Sequence, residues 1–142
     1  MAANLYDPTG HTAGEECSST YEGRHLTFEE SQLVHPSHTD GFVDSKDPVL
    51  VGDNIVGVAF KGAAAATDLI AIDTEGIFFL NVVATSAMNQ GAVVFIDATT
   101  AILSDDSTDV VFGTILSALG ASQTAQLVAV KVHSHPVGAD TT

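Results

Sequence analysis

The side chains most able to do chemistry in this 142-residue chain are six histidines, one cysteine and eighteen carboxylates. His133 and His135 flank Ser134, and on an extended strand residues two apart face the same way. Such a pair could supply two ligands to a zinc- or nickel-type ion, with a third drawn from a distant segment or another subunit. His35 and His38 bracket Pro36-Ser37, and His11 lies near Cys17. The plainer reading, solvated loop histidines, is the one adopted, and no cofactor is expected. Cys17 follows Glu15 and Glu16, whose charges disfavour a thiolate, and as a lone cysteine it forms no intramolecular disulfide. Asp105, Asp106 and Asp109 lie in one short stretch without the glycine and terminal glutamate of a calcium-binding EF loop. Phosphate-binding glycine loops, dinucleotide fingerprints and nucleophile elbows are missing, so an enzyme is not expected.

Composition narrows the partners. Four basic residues against eighteen acidic ones give a net charge of −14, which excludes a phosphate-neutralising footprint for nucleic acid. Anionic membrane surfaces are equally poor partners. Acidity of this degree suits solubility or attraction to a basic protein surface. Hydrophobic residues make up 45% of the chain and suffice for a core, but Trp is missing, so Val, Ile, Leu, Ala and Phe must build it. Tyr6 and Tyr21 are the two tyrosines, a thin aromatic supply for a carbohydrate- or ligand-binding β module, which stays as the alternative reading. The first residues, Met1 to Leu5, lack the basic and apolar regions of an export signal. No apolar run reaches the roughly 20 residues of a membrane span. Synthesis in the cytoplasm is the expectation.

The elements that must carry these residues change character near Asp47-Pro48. Residues 1–46 are polar and aperiodic and read as an extended arm, with apolar anchors at Leu26, Phe28, Leu33, Val34, Phe42 and Val43. From residue 47 to 133, short β-branched runs recur about every ten residues between Gly, Asp and Asn turns, the pattern of a small barrel or sandwich. Val49-Leu50-Val51, the turn Gly52-Asp53-Asn54, and Ile55 to Phe60 form a predicted hairpin. One short helix is predicted over Thr85–Gln90, closed by Gly91. Residues 134–142 read as a flexible tail. The fold class is all-β: a small barrel or sandwich with one short helix, preceded by an extended arm.

The ordered motifs carry a resemblance. Asp47-Pro48-Val49-Leu50-Val51-Gly52 is followed by Ile55-Val56-Gly57-Val58-Ala59, then Glu75-Gly76-Ile77-Phe78-Phe79-Leu80 and Asn89-Gln90-Gly91. Next come Val94-Phe95-Ile96-Asp97-Ala98-Thr99-Thr100, Phe112-Gly113-Thr114-Ile115-Leu116 and Leu127-Val128-Ala129-Val130-Lys131-Val132. In this order, over residues 47–133, they resemble the small decoration, or cement, proteins of tailed-phage heads. The resemblance implies a structural virion protein that stabilises the outer surface of a capsid. It implies a homotrimer near local three-fold axes, with the major capsid protein as partner. The capsid contacts expected from the arm are Leu26, Phe28, Glu29, Glu30, Phe42, Val43 and Asp44, apolar anchors beside charges that meet basic groups.

Overall fold

The computed structural model describes residues 9, 10, 12 and 25–133. Strands run at β1 (His25–Glu29), β2 (Pro48–Val51), β3 (Ile55–Ala59), β4 (Leu69–Asp73), β5 (Glu75–Val83), β6 (Val93–Ile96), β7 (Leu103–Ser104), β8 (Val110–Ile115) and β9 (Gln126–His133). The first four make an antiparallel sheet in the order β1-β4-β3-β2, and the other five close into a barrel, β5-β7-β6-β8-β9. Among the described strands, only β5 and β7 pair in parallel.

The β2–β3 hairpin joins these two parts, and its sequence shows why. A strand with one wet face alternates apolar and polar residues, whereas Val49-Leu50-Val51 and Ile55 to Ala59 are apolar throughout. Both faces are covered. Leu50, Val56 and Val58 pack into the barrel core with Leu80, Val82, Ile96, Phe112 and Val130. Val49, Val51 and Ala59 pack into a second core with Phe28, Leu33, Val43, Ile70 and Ile72.

That second core draws on residues expected in a separate arm. β1 pairs with β4 from His25↔Asp73 to Glu29↔Leu69. Val34 bridges Leu50, and Val43 is fully buried. The chain from residue 25 to 46 is therefore an edge strand and a strap over the sheet, not an extension from it. Burial of Phe28 and Val43 is what draws it in, each contributing about 1.5–3 kcal/mol. Residues 134–142 and most of 1–24 lie outside the described residues.

No helix forms over Thr85–Gln90. Met88 instead exchanges both backbone hydrogen bonds with Leu119, at 2.9 Å each, and is buried in the barrel core. Thr85 Oγ1 and the Ser86 amide donate to the Asp105 carboxylate. A two-turn helix is marginal by itself and yields to such pairing. The one helical element among the described residues is a 3-10 turn at Glu30–Gln32.

Barrel closure depends on glycine at one contact. The β6–β8 register slips between Val94 and Phe95, opposite Gly113 and Val111, which leaves Phe112 as a bulge. Gly113 then passes so near β9 that a Cβ would stand 2.2 Å from the Lys131 carbonyl oxygen. Backbone, not a flexible side chain, occupies that space. Gly113→Ala should lower unfolding stability by about 3 kcal/mol, the upper end of ordinary overpacking. Gly120→Ala, where nothing lies within 4 Å, should stay within about 0.5 kcal/mol. Urea unfolding of both variants checks this, and equal midpoints would refute it.

Candidate functional site

β5 and β9 pair along eight residues, from Glu75↔His133 to Val82↔Gln126. Alternation points Leu80, Val82, Val128, Val130 and Val132 into the barrel. It points Ile77, Phe79 and Asn81 outward beside Leu127, Ala129 and Lys131, with Phe79 opposite Ala129 and Ile77 opposite Lys131. Phe79 is 75% exposed, Leu127 67% and Ile77 60%. Exposed Phe60 shares one flanking cleft with Phe78 and Phe79, and exposed Ile102 shares another with Phe79 and Leu80. Single exposed apolar side chains are ordinary, but five large ones on one flank mark an interaction surface. Lys46 lines both clefts and holds φ at +75°, a conformation that costs a side-chain-bearing residue about 1 kcal/mol or more.

The contacts expected from the arm lie elsewhere. Phe28, Glu29, Glu30 and Val43 are buried, and Leu26 packs against the second core. Glu30 Oε2 accepts from the Val43 amide at 3.1 Å and stands 2.7 Å from His35 Nε2. Glu30, Val43 and His35 thereby fasten the strap to itself. Phe42 is half-buried and Asp44 exposed. The outward Ile77, Phe79 and Leu127 were missed by sequence reasoning. Their signal was the run Ile77-Phe78-Phe79-Leu80, apolar at outward as well as inward positions of a strand with one covered face.

The metal candidates gain no support. His133 ends β9 opposite Glu75, and His135 lies outside the described residues, as do His11 and Cys17. Among the described residues no three His, Cys, Asp or Glu side chains group as a metal site. The loop carboxylates serve their own chain: Asp106 Oδ1 accepts from the Thr108 amide and hydroxyl, and Asp97 Oδ1 from the Thr99 and Thr100 amides. Those hydrogen bonds hold both carboxyls below the ordinary Asp range.

A set of histidines locks the strap. The His38 ring lies between two carboxylates, with Nε2 2.6 Å from Asp47 Oδ2 and Nδ1 3.3 Å from Asp44 Oδ2. A neutral imidazole has a single N–H, so only the imidazolium satisfies both contacts. The hydrogen bond to Asp47, with the charges of Asp47, Asp44 and Asp40, raises the His38 pKa above its ordinary 6.5 against the opposing effect of desolvation. The His35 ring stacks on it at 6.2 Å between centroids. At the start of β1, His25 pairs with Asp73 and lies 6.2 Å from the Phe60 ring.

An exposed apolar flank of this kind is a surface suited to contact with another protein. The family model of phage cement proteins matches residues 29–132, most of the chain, and the chain belongs to that family. Membership implies a structural protein associated with the phage capsid. The match begins at residue 29 and takes in the strap as well as the barrel. No curated protein and no solved structure matches significantly. Among the described residues no helix is long and apolar enough to cross a membrane.

A pH dependence follows from His38. Its pKa is higher folded than unfolded, so its contribution is complete below about pH 6.5 and is lost as pH rises through the folded value. The pair is partly wet, so the loss is about 1 kcal/mol at most. Melting temperature should fall between pH 6 and pH 9, and His38→Gln should reduce that slope. An unchanged slope in the variant would remove His38 as its source.

Proposed function

We propose that the protein is a head cement: it binds the outer surface of an assembled phage capsid, near local three-fold positions and as a homotrimer, and stabilises the shell. The family match carries this reading, and the fold supports it. A closed barrel joined to the sheet through a hairpin buried on both faces leaves few strand edges open to indiscriminate pairing. A charge of −14 suits a soluble coat that meets basic capsid groups. In this reading the major capsid protein is the partner, while nucleic acid and membranes are not.

The capsid contact assigned to the arm now falls to the loop at Phe42 and Asp44, and we extend it to the chain before β1. Deleting residues 1–46 would remove β1 and Val43 and so damage the second core, which makes residues 1–24 the segment to delete. Purified protein mixed with undecorated expanded heads should co-sediment and raise the temperature at which the heads rupture. The 1–24 deletion should keep the β circular dichroism spectrum and bind heads at least tenfold more weakly. Intact protein that never sediments with heads would end the cement reading. A truncated protein that binds as well as the intact one would end the assignment to the chain before β1.

A further inference from the structure

The strap crosses the sheet with a gap in its backbone bonding. Val34 exchanges hydrogen bonds with Leu50 at one end; at the other, the Ala63 amide donates to Val43 and the Lys46 amide to Ala59. Among the described residues, the one backbone–backbone hydrogen bond of residues 35–42 runs from the Gly41 amide to His38, inside the loop. Side chains hold this loop to the body instead. His35 Nε2 stands 2.7 Å from Glu30 Oε2, and its Nδ1 stands 2.7 Å from the Pro36 carbonyl oxygen. His38 sets its two ring nitrogens against Asp47 and Asp44. All four ring nitrogens therefore face oxygen acceptors, and a neutral imidazole brings only one N–H for its two. Each site is complete only with one added proton, carried as an imidazolium or, on Glu30, as a carboxylic acid. The two rings stack nearly parallel, and Glu30, Asp40, Asp44 and Asp47 surround them with the negative charge that retains protons. Lys46 is the opposing cation, beside Asp47 in the cleft under Pro36. The barrel wall of that cleft, including Phe79, Leu80, Asn81 and Ile102, brings no titratable group.

We propose that residues 35–42 form a proton-locked flap: one proton at His35–Glu30 and one at His38 between Asp44 and Asp47 keep it closed, and their loss opens it while sheet and barrel stay folded. Opening is local because neither core includes a residue of this loop; the buried anchors Leu33 and Val43 lie just outside it. A solvated histidine binds its proton near pH 6.5, so above that pH the open loop holds fewer protons than the closed one. Rising pH therefore favours opening, by up to about tenfold per pH unit for each proton released. The flap carries Phe42 and leads into Asp44, the loop assigned above to the capsid. Opening frees the Asp44 carboxylate from His38 and leaves it for a basic group on a partner. The proposal goes beyond the cement reading and does not rest on it, because the lock is a property of the isolated chain.

Amide hydrogen exchange of the intact chain, read residue by residue by NMR and corrected for the intrinsic effect of pH, provides the test. The reporter is the Val43 amide, whose acceptor Glu30 Oε2 is shared with His35. Its protection should fall at least tenfold from pH 6 to pH 9. The amides of the β5–β9 ladder should stay at least a hundredfold better protected than Val43 at both pH values, because they exchange only when the barrel opens. His35→Gln and His38→Gln each replace a titrating ring with an amide of constant charge. Each should reduce the fall at Val43, and the double variant should abolish it. Equal Val43 protection at pH 6 and pH 9 in the intact chain would overturn the proposal, and this comparison needs no variant to fold. Val43 protection as high as that of the ladder would also overturn it, since the strap would then open only with the whole body. So would a double variant that keeps the full dependence. Head binding takes no part in these measurements: their failure leaves the cement reading standing, and a failure to bind heads leaves the flap standing.

Discussion

Alternate residues of one hairpin enter two different hydrophobic cores, and most of the structure follows from that division. Leu50, Val56 and Val58 are shared with the barrel, while Val49, Val51 and Ala59 are shared with the strap. A one-residue slip in β2–β3 would exchange the two sets and empty both cores of their fitted side chains. The close pass of Gly57 against β4 fixes the same register from another side, because a Cβ there would lie 2.6 Å from the Asp73 carbonyl oxygen. Sheet and barrel thus form one packed body, with little freedom to rotate against each other.

Polar groups in this body act mainly as fasteners. Glu30 is buried because it has specific work there: it accepts from the Val43 amide and faces His35. A buried carboxylate without such partners would be costly, which is why its neighbours are donors. Similar roles fall to Asp47 under His38, to Asp105 beneath Thr85 and Ser86, and to Asp68, which receives the Ala64 and Ala65 amides. A large share of the acidic composition is thereby explained as loop chemistry. The outward flank of β5 and β9 lacks fasteners of this kind among its large apolar side chains, and this sets it apart as a surface for another protein.

The all-β class, the strand positions after residue 47 and the hairpin at Gly52-Asp53-Asn54 were legible in the sequence, because β-branched runs and turn residues act locally. The same motifs in order pointed to the cement family. The strap was not legible. Leu26, Phe28 and Val43 are spaced by contacts with β2, β3 and β4, partners up to about 45 residues distant along the chain, so no local period announces them. The absent helix fails for the same reason: Met88 answers to Leu119, which no window around Thr85–Gln90 contains. The contact face was legible only in part. Ile77-Phe78-Phe79-Leu80 reads as a strand motif, but its outward half gains meaning only once β9 supplies Leu127 and Ala129 beside it.

The registers also decide where the chain meets and leaves its own body. His25, at the head of β1, lies across from Asp73, and His133, at the foot of β9, lies across from Glu75. A single residue, Thr74, separates those partners, so β1 begins and β9 finishes at a common corner, on either side of the link between sheet and barrel. Proteins whose ends meet in this way tolerate circular permutation. For this molecule, a short peptide joining His25 to His133 and a new opening in a surface turn would leave both cores intact. A peptide grafted onto either of these two strand ends would therefore start from the same corner of the body.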